Sequence, residues 1–124
     1  MTSDEIIEML IRSVHSDKAA DQFFSGHTGS AELLRQLLNI VKESESGDAR
    51  MEGAYWISKF DENLLTEVEE ELLLLMDCEW DSVAVHIMVA LSRIKSRAAL
   101  TKMIDQRIKP HLYWESVALH NYLL

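Results

Sequence analysis

Apolar residues recur along this chain at the spacing of α-helices. Between residues 83 and 94, one face of a helix with about 3.6 residues per turn is formed by Val83, Ile87, Ala90, Leu91 and Ile94. The same spacing recurs between residues 65 and 76, at Leu65, Val68, Leu72, Leu75 and Met76. The run that most resembles a strand is 85–89, but it lies within the segment 83–94 that has helical spacing, and the helical pattern overrides it. The pattern therefore predicts an all-α fold.

The N-terminal part of the chain is predicted to hold three helices of unequal length. Thr2 and Glu5 have the spacing of a capping box ahead of the first helix. A short helix is expected over 17–25, and Ser30 is expected to cap a third helix whose apolar residues end at Val41. These helices do not follow the regular period of the rest of the chain.

Two seven-residue segments recur almost unchanged, 34 residues apart. They read WDSVAVH at 80–86 and WESVALH at 114–120, and five of the seven positions are identical. One step further toward the N-terminus, 57–60 aligns with 91–94 as large apolar, Ser, cation, large apolar. A fixed period of about 20–50 residues is typical of stacked helical units. The predicted divisions are irregular helices at 1–46 and repeat units at 48–78, 81–110 and, in part, 114–124.

Each repeat unit is predicted to be a helix, a short polar turn and a second helix. Asp48, which follows Gly47, and Asp81 are expected to cap the first helices of their units. Pro110, the only proline, is expected to end the second helix of the second unit. With the N-terminal helices, this gives about seven helices in one right-handed stack, and a single domain over 1–124.

The turn inside the second unit carries a resemblance to a known type of repeat. The segment 90–100, ALSRIKSRAAL, resembles the centre of a HEAT-type repeat, in which an Ala-Leu pair, an Ile and a polar turn lead into a second Ala/Leu-rich helix. A tetratricopeptide repeat is the alternative, because its period is about 34 residues and 80–87 imitates its early tryptophan. Its later Ala and Phe positions are missing here. The resemblance favours a HEAT-like α-solenoid.

Charge is distributed unevenly along the chain, whose formal net charge is −9. Residues 61–92 include nine Asp and Glu and no Lys or Arg, whereas 93–109 include six cations and one acid. Neighbouring helices are therefore expected to pair in part, which leaves an acidic excess. An acidic surface repels phosphates and disfavours direct binding of nucleic acid. It attracts a basic protein and accelerates its association.

The glutamates at 67–71 are the strongest candidates for a binding surface. A solvated helix face is the alternative, but exposed helices usually interleave the two signs of charge, and no Lys or Arg follows these glutamates at i+4. Among the aromatic residues, Trp56 is expected in the core, Trp80 and Trp114 between units, and Tyr55 on the surface. The expected partner-binding residues are Tyr55, Asp61, Glu62, Glu67, Glu70, Glu71, Asp77 and Glu79.

The chain offers no pattern of residues that is typical of catalysis or of cofactor binding. Neighbouring carboxylates at 69–71 splay around a helix, and Ser82 and Ser116 lie in no nucleophile elbow. His86 and His120 recur at one repeat position, but stacked helices would hold them about 10 Å apart, and no third ligand has a suitable spacing. We therefore expect a protein that is not an enzyme and that needs no metal or cofactor.

Three features of the sequence favour the cytoplasm. The single cysteine, Cys78, cannot form an internal disulfide. The longest apolar run is too short for a transmembrane helix. The acids Asp4 and Glu5 stand where a secretory signal would carry cations.

A small, acidic, all-helical stack of this kind resembles the immunity proteins of bacterial contact-dependent and polymorphic toxin systems. The resemblance is one of architecture, size and charge, and no motif carries it. It implies a monomer that binds a basic cognate toxin domain, typically a nuclease, and occludes its active site. Two alternatives stay open: an adaptor of HEAT or tetratricopeptide type that binds a helix or peptide, and a subunit of a larger assembly.

Overall fold

The computed structural model describes residues 1–77, 81–106 and 112–123, and the side chains of 82–103 and 117–123 within the last two ranges. These residues form nine α-helices and no strand, which confirms the predicted all-α fold. The helices are α1 (Ser3–Val14), α2 (Lys18–Ser25), α3 (Ala31–Glu43), α4 (Gly47–Ile57), α5 (Glu62–Glu67), α6 (Glu69–Met76), α7 (Asp81–Arg93), α8 (Arg97–Gln106) and α9 (Leu112–Leu123). Within the described part of the chain, no helix is both long and apolar enough to cross a membrane.

The first and third helices begin where their predicted caps place them, and the second begins at Lys18, one residue inside the expected range 17–25. The Thr2 hydroxyl accepts a hydrogen bond from the Glu5 N–H, and the Glu5 carboxylate accepts one from the Thr2 N–H, which completes the capping box. Asp17 and Ser30 each accept a hydrogen bond from the backbone N–H three residues later. These caps satisfy N–H groups that have no partner inside their helices.

The start of α4 differs from the prediction, because its cap is Ser46 and not Asp48. The Ser46 hydroxyl accepts a hydrogen bond from the Ala49 N–H at 3.2 Å. Asp48 lies inside the first turn, where a carboxylate is favoured by the positive end of the helix dipole. Asp81 is the first residue of α7, and its side chain lies outside the described residues, as does Pro110.

The second helix of the first repeat unit is divided at Val68 into α5 and α6. The described residues form nine helices, whereas about seven were predicted. The Val68 backbone, at φ −112° and ψ 19°, leaves the helical region, and its N–H donates to the Leu65 carbonyl only three residues earlier. An unbroken helix would place Glu67 and Glu71 four residues apart as repelling neighbours. The break instead puts the acids 69–71 in the first turn of α6, where the helix dipole favours them.

The first helices of the predicted repeat units pack against one another in chain order. Helix α4 packs on α7, and α7 packs on α9. Helix α7 begins 34 residues after α4, as the sequence period predicts. Helices α1 and α3 pack on α4, and α6 packs on α7, so the hydrophobic core runs continuously from Ile6 to Ala99. The described helices thus form a stack built around α4 and α7.

One glycine permits the close approach of α4 to α3. A Cβ added at Gly53 would lie 3.0 Å from Val41 Cγ2, which is too close for an ordinary contact. Trp56, on the same helix, is 7% exposed, which confirms its predicted place in the core. Trp80 and the side chain of Trp114 lie outside the described residues.

Residues at equivalent positions of the repeat units form hydrogen bonds within and between those units. Ser58 and Ser92, which align in the repeat, each donate to the carbonyl three residues earlier. The Arg93 guanidinium donates to the carbonyls of Ser58 and Phe60, just after the end of α4. Asn121 on α9 donates to the Ser92 hydroxyl at 3.0 Å. A cation is favourable at the end of a helix, where carbonyls lack partners.

Candidate functional site

Four glutamates meet in one depression at the junction of α5 and α6. Glu67, Glu69, Glu70 and Glu71 line this depression, which has a volume of about 330 Å³, and we call them the acid surface. Glu69 is half-buried, and the other three are exposed. Among the described residues, no cation forms an ion pair with Glu67 or Glu70. These two carboxylates therefore carry uncompensated charge into solvent.

The other acids of this region have partners on neighbouring helices. Glu71 forms an ion pair with Arg35 of α3 at 2.6 Å, and Asp77 forms one with Lys102 of α8 at 2.7 Å. The Glu69 carboxylate accepts a hydrogen bond from the Ser96 hydroxyl at 2.6 Å. This confirms the expected pairing of charges between neighbouring helices. Both ion pairs are substantially exposed, and exposed pairs contribute little stability.

An exposed leucine that the sequence analysis left unassigned lies beside the acid surface. The Leu74 side chain is 75% exposed and lines a groove of about 190 Å³ between α3 and α6. The groove is also lined by Leu38, Asn39, Lys42, Glu71 and Leu75. The run of four leucines at 72–75 could have revealed it: a helix that buries Leu72 and Met76 on one face turns the position between them toward solvent.

Tyr55 does not join the acid surface, and it is not the exposed aromatic that the sequence suggested. It is half-buried on α4, with its ring edge-on to Trp56 at 5.2 Å and to His86 at 5.5 Å between centroids. The Lys59 ammonium lies 5.3 Å from the centroid of the Tyr55 ring. Helices α4 and α7 pack together at this point, and their contact covers part of the ring.

The remaining expected residues are dispersed. The Asp61 N–H donates to the Thr28 carbonyl at 3.0 Å, which holds the start of α5 against the loop before α3. Glu62 lines a separate depression of about 440 Å³, together with Arg93 and Lys95. Glu79 lies outside the described residues. Of the eight expected residues, Glu67, Glu70 and Glu71 share the acid surface.

A second group of carboxylates, which sequence reasoning missed, lies in a cleft between α1, α2 and α4. The Ser13 hydroxyl oxygen is 2.6 Å from Asp21 Oδ1 and 2.6 Å from Glu52 Oε2, and we call these three residues the serine cluster. The Trp56 indole N–H donates to the same oxygen at 3.1 Å. The cleft has a volume of about 380 Å³ and is also lined by Lys18 and Tyr55.

Burial raises the pKa of two side chains in this cleft, Glu52 and Tyr55. Burial raises the pKa of Glu52; the nearby Asp21 charge acts in the same direction, and hydrogen bonds from Ser13 and Trp56 oppose the shift. Burial, together with the charges of Glu52 and Asp21, also raises the pKa of Tyr55. Because 39 residues separate Ser13 from Glu52, no local pattern of the sequence indicates their contact.

A metal centre finds no support in the described part of the chain, where no group of three or more His, Cys, Asp or Glu side chains is arranged to hold an ion. The acid surface instead has features that suit recognition of another molecule: the carboxylates of Glu67 and Glu70, the exposed Leu74 and the adjoining groove. Such a combination suits a partner that presents cations around an apolar residue.

Comparisons with known proteins add no family to this description. No family model matches the chain, and no match was found among curated proteins or among solved structures. The resemblance to immunity proteins therefore stays a prediction from architecture, size and charge.

Proposed function

We propose that this protein binds a basic protein partner through the acid surface and Leu74. The observation that carries the proposal is the exposed Leu74 beside two uncompensated carboxylates, Glu67 and Glu70. An apolar side chain of the partner would fill the groove between α3 and α6, while its Lys and Arg side chains meet the glutamates. Apolar contact then supplies affinity, and opposite charge supplies orientation and a fast association.

The partner in this proposal is a bacterial toxin domain, namely a basic nuclease. A nuclease must attract phosphates, so cations surround its active site. A small protein with a net charge of −9 competes for those same cations and occludes the cleft between them. The protein would act as a cytoplasmic monomer, as a binder and not as an enzyme.

The proposed architecture is a HEAT-like right-handed solenoid rather than a tetratricopeptide array. The packing of α4, α7 and α9 in chain order supports a stack of repeat units. The pairs α4 with α6 and α7 with α8 would then superpose by one rotation that also carries α7 onto α9. An experimental structure in which these helices share no common rotation would contradict the solenoid.

The binding proposal is tested by calorimetry and by pull-down with a purified basic nuclease domain, the candidate being one encoded directly beside the gene of this protein. We expect the double reversal Glu67→Lys/Glu70→Lys to raise Kd by about thirtyfold or more, since losing close charge pairs across an interface costs about 2 kcal/mol or more. The matched control is Glu8→Lys/Glu45→Lys, which makes the same change in net charge at exposed acids elsewhere.

The two variants separate local contact from overall charge. If the control weakens binding as much as the test variant, attraction is a property of the net charge and the acid surface is not the site. If neither variant changes Kd or its dependence on salt, the acid surface takes no part in binding.

A second candidate function, a subunit of a larger assembly, is favoured by α9. Leu119 and Leu123 lie four residues apart on this helix and are 44% and 83% exposed. Such a pair forms an apolar stripe that a second copy could cover. Light scattering over a range of concentrations tests this: Leu119→Ser/Leu123→Ser should shift an oligomer to the monomer, and a wild-type monomer at high concentration rejects the candidate.

A further inference from the structure

The Ser13 hydroxyl takes part in more hydrogen bonds than its one proton can supply. Its oxygen lies 2.6 Å from Asp21 Oδ1 and 2.6 Å from Glu52 Oε2, and it accepts the Trp56 indole N–H. Oxygen–oxygen separations of this length occur where a proton lies between the two atoms, and they are typical of charge-assisted bonds. Two such contacts therefore need two protons.

The hydroxyl supplies the first proton, and a carboxyl group must supply the second. Ser13 donates to one carboxylate, and the other carboxyl group donates to the Ser13 oxygen through its own O–H. If both Asp21 and Glu52 were ionised, one carboxylate oxygen would face the hydroxyl oxygen at 2.6 Å with no proton between them. Ser13 is only 6% exposed, so water cannot readily screen that repulsion.

We propose that the serine cluster holds one carboxyl proton in the folded protein and forms a pH-sensitive clasp that joins α2 to α4 across α1. Loss of the proton places two negative charges within 2.6 Å of one buried oxygen. The clasp then opens at α2, which is eight residues long and buries only Ala20 and Phe24. The clasp involves no binding partner and is independent of the proposed function.

In the described part of the chain, few other charged groups face the clasp. Lys18 of α2 lines the same cleft but forms no ion pair with either carboxylate, and Tyr55 of α4 also lines the cleft. Arg12 of α1 is paired with Asp17. Of the described side chains, none from α3 or α7 lines the cleft, although His86 of α7 contacts the Tyr55 ring. Among the described side chains, no cation therefore takes the place of the proton.

The direction of the pH effect follows from Glu52. Its pKa in the folded protein is raised above the ordinary value of 4.5, so the folded protein holds this proton more tightly than the unfolded chain. Stability from the clasp is complete below 4.5 and is lost as the pH rises through the folded pKa. Each unit by which the pKa is raised makes the loss about tenfold in the folding equilibrium constant.

The experiment measures urea unfolding against pH for the wild type and for Glu52→Gln. The glutamine amide donates to Ser13 as the carboxylic acid does, but it does not titrate. We expect Glu52→Gln to be more stable than the wild type at alkaline pH and to lack the loss above 4.5. The matched control is Glu70→Gln, which removes an exposed carboxylate and should keep the pH dependence of the wild type.

Two further measurements keep the proposal falsifiable if Glu52→Gln fails to fold. The carboxyl carbon resonance of Glu52 in the intact wild type should titrate above its ordinary value, and titration at that value overturns the clasp. Hydrogen exchange at α2 amides should accelerate with pH more steeply than at α3 amides, and Asp21→Asn should abolish the difference. Equal acceleration in both helices, or wild-type behaviour of Asp21→Asn, also overturns the proposal.

Discussion

The serine cluster and the acid surface use the same carboxyl groups in opposite environments. In the serine cluster, Asp21 and Glu52 are half-buried and share the hydroxyl of a buried serine. In the acid surface, Glu67 and Glu70 are exposed, and neither forms an ion pair with any of the described residues. The comparison teaches that surroundings, and not residue type, decide whether a carboxylate serves the fold or stays available to a partner.

The two regions should therefore respond oppositely to mutation. Changes in and around the serine cluster leave buried polar groups without partners, so they should act on the free energy of unfolding. Glu67, Glu70 and Leu74 are already exposed, so changing them leaves the packing of the core as it is. Such changes should therefore act on binding and leave the free energy of unfolding nearly unchanged.

Truncation of the tryptophan behind the serine cluster should have the largest effect. Trp56→Ala should lower the free energy of unfolding by about 3–5 kcal/mol, because it removes a buried ring that stacks on Phe24 at 5.4 Å between centroids. Urea unfolding measures this. The control is Leu74→Ala, which should cost less than about 0.5 kcal/mol. Equal losses in both variants would mean that the two regions do not differ as described.

Removal of the exposed leucine should separate binding from stability. Leu74→Ser should weaken binding of the partner by about 1.5–3 kcal/mol, the free energy of covering a leucine side chain. The unfolding midpoint should stay where it is in the wild type, since Leu74 is already 75% exposed. A calorimetric titration gives the first quantity and urea unfolding the second. A fall in stability without a change in Kd would place Leu74 in the fold rather than the interface.

Loss of the bridging hydroxyl should have a moderate effect on stability. Ser13→Ala should cost about 1–3 kcal/mol, because it leaves the Trp56 N–H without its acceptor and the two carboxyl groups without their bridge. The matched control is Ser25→Ala, an exposed serine that lines the same cleft. The comparison fails if both serines cost the same in urea unfolding.

The ion pair between Arg35 and Glu71, at the edge of the acid surface, should contribute least to the free energy of unfolding. A double-mutant cycle with Arg35→Met and Glu71→Gln should give a coupling of at most about 1 kcal/mol that declines with added salt. Thermal unfolding at low and high ionic strength measures this coupling. A larger coupling that does not respond to salt would make Glu71 a structural carboxylate, more like Glu52 than like Glu67.

Local chemistry accounts for the parts of the fold that were predictable. Thr2 and Ser30 cap their helices through atoms no more than three residues away, so their neighbours in the sequence suffice to identify them. The break at Val68 was missed because the apolar spacing continues across it, and the preference of the acids 69–71 for a helix start was not weighed against that spacing.

The sequence predicted the acidic charge of the candidate site but not which of the expected residues lie together in it. The cation-free segment identified Glu67, Glu70 and Glu71, which do share one surface. In the structure, Tyr55 and Glu62 do not share this surface. Tyr55 lies where α4 packs on α7, and Glu62 of α5 lines another depression. Charge is a property of composition, whereas a shared surface depends on where the helices lie.

By itself, the sequence determined an all-helical chain with a 34-residue period and an acidic segment, because spacing, caps and charge are local properties. Only the tertiary structure decided which carboxylates are buried, which are paired and which are free. Ser13, Asp21 and Glu52 meet only because α1, α2 and α4 pack together, and Arg35 neutralises Glu71 only because α3 lies beside α6. Burial and distance set the energy of a charge, and both arise from packing between residues far apart in the chain.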